Sequence, residues 1–320
     1  MLHCANTFAL VCIINCFMDV SNVLALDNHD PQELNSSTVL HSKVIAVEGM
    51  PGAGKTSVLF DIAEELEGTC VLLSEMNLEP NSSWKKLSSK EQSHIFHNLW
   101  VERIEVLNTF NNPKLCFLLD RTYFSNLAFT YALDCMQGTQ HYETHKKIFN
   151  ESFGNNRFDL ILIFDIPPEI GLQRRILRGD SISWPWSNLV FLKAIRQFYK
   201  EELPKLAQEK ILYINGEKDK NAIKEETMHA IQSVVDNKNN YYSFELKNGK
   251  DIEALFNFAK QNKLGEAGTR VINVFGIPTI YFLKHSIQLD REQPVFFNNS
   301  QLYEISFRYN SFIKTQNEGK

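Results

Sequence analysis

The sequence predicts an α/β protein: a doubly wound parallel sheet, followed by a small C-terminal α+β extension. Three observations predict it. Short apolar runs recur at residues 44–47, 70–73, 115–119, 160–164 and, more weakly, 211–214; such runs suit strands buried on both faces. Longer segments of helical character lie between them. Strands that alternate with helices require crossovers, and crossovers make the strands parallel.

The elements follow in order. After the first run, residues 55–66 read as a helix. After the second, a helix is expected over 88–110, opened by Ser89 with Gln92 three positions on, the pattern of a capping box. Helices over 126–136, 168–178, 189–207 and 222–235 follow the third, fourth and fifth runs. Residues 27–42 are polar and aperiodic and read as a linker; Asn237 to Asn240 mark a boundary. The expected organisation is therefore an apolar segment over 1–26, the linker over 27–42, the main domain over 43–236 and an extension over 240–320. In the extension, 252–258 looks helical and 271–275 and 279–283 look like strands. It carries no chemical motif, and the chain has no internal repeat.

Composition narrows the function. The chain has 320 residues, 43% of them hydrophobic and 22% charged, with a net charge of −5. That suits a globular protein with a substantial core, and it supplies no global basic field to recruit nucleic acid. The six cysteines include no CxxC pair and no zinc spacing, so they read as free thiols. Residues 1–26 fit either a secretory-type signal, ending in the small-residue pattern Val23-Leu24-Ala25, or a disordered apolar segment. No Lys or Arg precedes the apolar run, and Asn15 and Asp19 interrupt it. The run is too short for a stable membrane span.

One motif carries the chemistry. Gly49-Met50-Pro51-Gly52-Ala53-Gly54-Lys55-Thr56 fits GxxxxGK(S/T) at every fixed position, between an expected strand and an expected helix. Glycines let backbone N–H groups close on phosphate oxygens, and the helix N-terminus adds its dipole. The nucleotide-binding set is then Gly49 through Thr56 and Ser57. Lys55 would reach the terminal phosphates, and Thr56 would offer its hydroxyl to Mg²⁺. The expected cofactors are ATP and Mg²⁺. An NKxD guanine-reading segment is absent, and no DxxG follows any strand, which disfavours a GTPase.

Asp120-Arg121, with Ser125 and Ala128 behind them, resembles the DR(Y/S) segment of the thymidylate kinases and deoxynucleoside kinases. The resemblance spans about residues 43–236. It implies a kinase of the P-loop type, with Asp120 near Mg²⁺ and Arg121 holding the acceptor. Glu79-Pro80 with Trp84 resembles the EPxxxW segment of the deoxynucleoside kinases, in which the glutamate acts as base; Glu75, at the strand end, competes for that role. Arg103 resembles the acceptor-binding arginine of thymidylate kinases. Pro168-Glu169 with Arg174, Arg178 and Gly179 resembles the mobile lid helix, whose arginines neutralise the migrating phosphoryl group.

Two departures blur the acceptor. Pro51 stands where thymidylate kinases usually place an acid, and Asp180 where deoxynucleoside kinases usually continue with an arginine. The expectation is an ATP-dependent phosphotransferase acting on a small-molecule nucleoside or nucleoside monophosphate, without nucleic acid or a membrane span, in the cytoplasm. A homodimer is one possible assembly. The alternatives are a kinase of another small molecule on the same scaffold, and a nucleotide-binding regulatory module without turnover.

Overall fold

The structure is a computed structural model. It describes residues 42–75, 100, 103–104, 107, 110, 115–153, 158–235, 249–262, 272–274, 277–281, 286–290 and 293–296. The apolar segment over 1–26, nearly all of the linker over 27–42, and Glu79, Pro80 and Trp84 lie outside the described residues.

Five strands form one parallel sheet: β1 (Lys43–Gly49), β2 (Cys70–Leu73), β3 (Cys116–Asp120), β4 (Leu160–Asp165) and β5 (Ile211–Asn215). Their order is β2-β3-β1-β4-β5. β1 is central, paired with β3 on one side and β4 on the other. The chain leaves β1 toward one half of the sheet and returns to the other, so a crevice opens at the C-terminal ends of these three strands. The strand residues are apolar on both faces because helices cover both. Ile45, Ala46, Val47, Leu118, Leu119, Leu162 and Ile163 are all buried.

The helices are α1 (Lys55–Glu65), α2 (Tyr123–Gln137), α3 (His141–Phe153), α4 (Pro168–Leu177), α5 (Leu189–Gln197), α6 (Leu203–Leu206) and α7 (Lys220–Gln232). α1 buries Val58, Leu59, Ile62 and Ala63, one stripe at helical spacing. α2 starts three residues before the sequence suggested, because Thr122 caps it and accepts a hydrogen bond from Phe124 N. The sequence reading missed α3. Gly138 ends α2 in the left-handed conformation, and the Asp134 carboxylate collects the Tyr142 N–H at the start of α3. The expected single helix over 189–207 contains a π-helical turn, Phe198–Glu202, between α5 and α6. Of the expected 88–110 helix, Trp100, Arg103, Ile104, Leu107 and Phe110 are described; all five are buried, and the first four are helical while Phe110 is not.

The extension comprises α8 (Gly249–Gln261) and an antiparallel sheet of β6 (Ile272–Val274), β7 (Ile277–Tyr281), β8 (Ser286–Asp290) and β9 (Gln293–Phe296). Its Tyr281 belongs to the main core: the ring lies 6.1 Å from that of Phe60, and the hydroxyl donates to Leu72 O at 2.5 Å. Cys70 and Cys116, opposite each other on β2 and β3, are buried free thiols. Among the described residues, no helix is long and apolar enough to cross a membrane.

Candidate active site

The glycine-rich loop joins β1 to α1 at the centre of the crevice. Gly52 has φ +85°, and a Cβ there would sit 2.3 Å from Gly171 O, so α4 crosses the loop at backbone distance and only glycine fits. Gly54 is the N-cap of α1, also left-handed, and no side chain caps the helix. Its first-turn amides are therefore presented to whatever anion occupies the loop. Lys55 is 5% exposed and folds back along the loop, donating to Gly49 O at 3.0 Å and Met50 O at 3.2 Å. Burial, with Arg121 nearby, pushes its ammonium down to about 8, although Asp120, Glu75 and Glu48 oppose the shift.

β3 delivers Asp120 beside this loop, since Val47 and Asp120 are register partners. Thr56 Oγ1 donates to Asp120 Oδ2 at 2.5 Å, while the buried Asp120 Oδ1 has no hydrogen-bond partner. Burial first, then Glu75, raises the Asp120 carboxyl; Lys55, Arg121 and Thr56 only partly restrain it. A buried carboxylate oxygen without a partner, beside a hydroxyl and at the mouth of a phosphate loop, fits a hard divalent cation that takes its remaining oxygens from phosphate and water. Among the described residues, no group of three His, Cys, Asp or Glu side chains is placed to hold a metal ion.

Arg121 has φ +71°, a conformation rare for a residue with a side chain and costly enough to need outside support. The support is visible. Its backbone N–H donates to Val47 O, and its Nη1 donates to Gly49 O and Ser125 Oγ, both at 3.3 Å. Its Nε lies 2.9 Å from Glu75 Oε1 in an ion pair, though the N–H is not aimed at that oxygen. Burial pulls the guanidinium down, but Glu75 and the other negative groups outweigh it and keep Arg121 above its ordinary range.

The sequence reading missed Glu48, which organises this segment. It is fully buried at the end of β1, where Oε1 accepts from Thr122 N (2.6 Å) and Thr122 Oγ1 (2.7 Å). Oε2 accepts from Ser125 Oγ (2.6 Å) and Tyr199 OH (2.8 Å). Burial raises its pKa, and these donors with Arg121 hold it back. One carboxylate thus ties the phosphate loop, the Asp120-Arg121 segment and the π-helical turn together. The available signal was a charged residue directly after an apolar run. Tyr199 left no such trace, nor did Asn126, whose buried Nδ2 has no partner.

Arg103 is 3% exposed. Its Nη1 donates to Ser74 O at 3.2 Å, its guanidinium lies 5.0 Å from the Trp100 ring, and its Nε has no hydrogen-bond partner. Burial pulls it down to about 10, with Tyr281 partly offsetting the shift. Arg103 and Arg121 therefore meet the end of β2 at adjacent residues, Ser74 and Glu75.

The arginines of α4 diverge. Arg174 Nη1 donates to Gly216 O at 2.8 Å, beside the loop, since a Cβ on Gly216 would lie 3.3 Å from Ala53 O. Arg178, which caps α4, makes a two-pronged bond to Asp180 at 2.8 and 2.5 Å. Arg175 also reaches Asp180, at 3.4 Å, and its buried Nη1 has no partner. The structure does not bring Arg174 and Arg178 to one target.

Comparison with known proteins agrees with this geometry. No protein-family model matches the chain. It is 30% identical over 206 residues to a probable thymidylate kinase of Archaeoglobus fulgidus, covering 62% of this chain and 98% of that one. The chain belongs to the thymidylate kinase family. It is also 28% identical over 198 residues to a probable thymidylate kinase of Saccharolobus solfataricus, covering 59% of this chain and 97% of that relative. A deoxyadenosine kinase from M. mycoides with bound dATP aligns at a TM-score of 0.45 with 19% identity, over 59% of this chain and 99% of its own. As a member of the thymidylate kinase family, the chain is a nucleoside or nucleotide phosphotransferase.

Proposed function

We propose that this enzyme transfers the terminal phosphoryl group of ATP to a deoxynucleoside monophosphate, with thymidine monophosphate the first acceptor to test. The observation that carries the reading is the convergence of two guanidinium groups on adjacent residues: the buried Arg103 at Ser74, with its Nε unpartnered, and the partly buried Arg121 at Glu75. A buried cation is costly without an anion, and an acceptor phosphate supplies one. A bare nucleoside leaves Arg103 Nε without a partner. A monophosphate oxygen is already a nucleophile, so this acceptor requires no general base. The relatives' names support the same choice.

The residues divide the work. Gly49 through Ser57 cradle the donor phosphates with backbone N–H groups, and Lys55 leaves the loop carbonyls to meet the terminal phosphates. Thr56 and Asp120 would hold the Mg²⁺ that accompanies the nucleotide and neutralises phosphate charge when bound. Arg121 and Arg103 orient the acceptor phosphate. Arg174 already stands beside the loop, and Arg178 would have to leave Asp180 to join it at the migrating group's oxygens, where charge stabilisation and positioning supply most of the catalysis. A kinase unit over 43–236, an extension over 240–320, a homodimeric assembly and a cytoplasmic location, where ATP is abundant, belong to the same proposal.

The test is transfer of labelled terminal phosphate from ATP to a panel of nucleosides and nucleoside monophosphates. Labelled diphosphate from thymidine monophosphate is the expected product. Label on nucleosides alone would shift the acceptor class, and label on nothing would sink the reading.

A further inference from the structure

Three consecutive grips hold the C-terminal end of β2. Tyr281, from the extension, donates its hydroxyl to Leu72 O at 2.5 Å. Arg103 donates to Ser74 O, and Arg121 pairs with Glu75. Among the described residues, β2 stands at the edge of its sheet, beside β3. Tyr281 is 2% exposed and packs near Phe60 of α1; Thr279, two residues before it on β7, is also buried. Its phenol lies close enough to Arg103 for each to shift the other's proton affinity. The extension therefore reaches the acceptor side through a buried polar contact as well as an apolar one.

We propose that Tyr281 is a positioning residue: the extension uses its hydroxyl to hold the end of β2, and through Ser74 and Glu75 it fixes Arg103 and Arg121 in the geometry that receives the acceptor's phosphate. The extension is thus part of the acceptor site. This inference rests on the proposed nucleotide acceptor. It predicts that the damage from losing the hydroxyl falls on one substrate only. The hydroxyl's partner, Leu72 O, lies on β2, whereas the donor loop is held by Glu48, Asp120 and α4.

The test uses the full chain with Tyr281→Phe, which keeps the ring beside Phe60 and removes only the hydroxyl. Thymidine monophosphate is the probe, in steady-state turnover and in calorimetric binding. The KM and Kd for thymidine monophosphate should each rise about fivefold, the scale of one lost hydrogen bond, while the KM for ATP stays within about twofold. Arg103→Lys should raise the acceptor KM further. Tyr281→Phe added to Arg103→Lys should cost less than it does alone, because coupled residues are not additive. A lowered unfolding temperature with an unchanged acceptor KM would make Tyr281 a core residue only and overturn the inference. Equal losses for both substrates would overturn it too, as general loosening. A wild-type chain that neither binds nor phosphorylates any member of the acceptor panel overturns the functional reading and this inference together. A competent wild type with an indifferent Tyr281→Phe overturns the inference alone.

Discussion

The proposed donor side and the proposed acceptor side of this site are built differently. The phosphate loop is nine consecutive residues, Gly49 to Ser57, between a strand and the helix it feeds. The acceptor side is assembled from the end of β2, Arg103, Arg121 and Tyr281, with Leu72 and Tyr281 separated by 209 positions. A contiguous loop is shaped by its own backbone preferences, so each glycine states its purpose locally. A dispersed site is held by buried polar contacts among distant residues, each costly to leave unpaired. The first is therefore shaped largely by its own backbone, with Glu48, Asp120 and α4 supporting it from outside, and the second depends on everything packed behind it.

The largest effect should come from the donor side. Lys55→Ala should lower kcat by roughly 10³-fold with any acceptor, the upper scale for a lost preorganised contact. Its unfolding temperature should not fall below wild type, since Lys55 is a buried cation and not a packing residue. Full activity in a folded Lys55→Ala protein would remove the phosphate-loop assignment. On α4, Arg174→Ala and Arg178→Ala should each cost roughly 10²-fold in kcat, and Arg175→Ala clearly less. If Arg175→Ala proves equally damaging, the Arg175–Asp180 contact matters more than the helix face shared by the other two.

Arg103→Ala should act on the acceptor side alone. The KM for thymidine monophosphate should rise about 10- to 100-fold, the worth of a charge-assisted contact, with the KM for ATP little changed. Equal changes in both would erase the division between the two sides. Glu48→Gln tests the carboxylate that joins them. Chemical denaturation should show a loss of about 1–3 kcal/mol, because a buried acceptor of four hydrogen bonds becomes half donor. A variant as stable as wild type would show that Thr122, Ser125 and Tyr199 can re-pair without it.

The smallest effect is a proton. Burial pushes the Lys55 ammonium down to about 8. Donor phosphates should raise it again, so ATP binding at pH 8 should take up about half a proton, read from the dependence of calorimetric enthalpy on buffer ionisation. The same depression makes the sign for folding definite. The cost of burying the charge is fully present below pH 8. It fades as pH climbs toward the ordinary lysine value, so the Lys55 contribution to stability rises over that interval. Binding without proton exchange would place Lys55 in a wetter setting than its contacts imply.

Much of this was legible beforehand. The apolar runs located all five strands of the parallel sheet, and the loop motif located the turn between β1 and α1, because both are short-range patterns in which period or spacing is the physical determinant. The acceptor side was legible only as residue types. Glu79, the expected base, lies outside the described residues, while Glu75 is found paired with Arg121. Arg174 and Arg178 were expected to act as a pair from helical spacing alone. Side-chain partners Gly216 O and Asp180 direct them apart, and no spacing rule contains those partners. α3 escaped because its sequence, HYETHKKIFNESF, is mostly polar, and its start depends on Asp134 in the preceding helix.

By itself, the sequence determined that a parallel sheet would form and that a glycine-rich loop of the phosphate-binding pattern would join β1 to α1. Apolar periodicity and glycine conformation act over a few residues and need no distant partner. Tertiary structure alone decided that Glu48 would anchor Thr122, Ser125 and Tyr199, that Arg121 would be held at positive φ, and that Tyr281 would reach Leu72. Those outcomes come from desolvation: once buried, a polar group must pair with whatever the fold brings to it. What the fold brings depends on strand order and helix packing, not on neighbours in the chain.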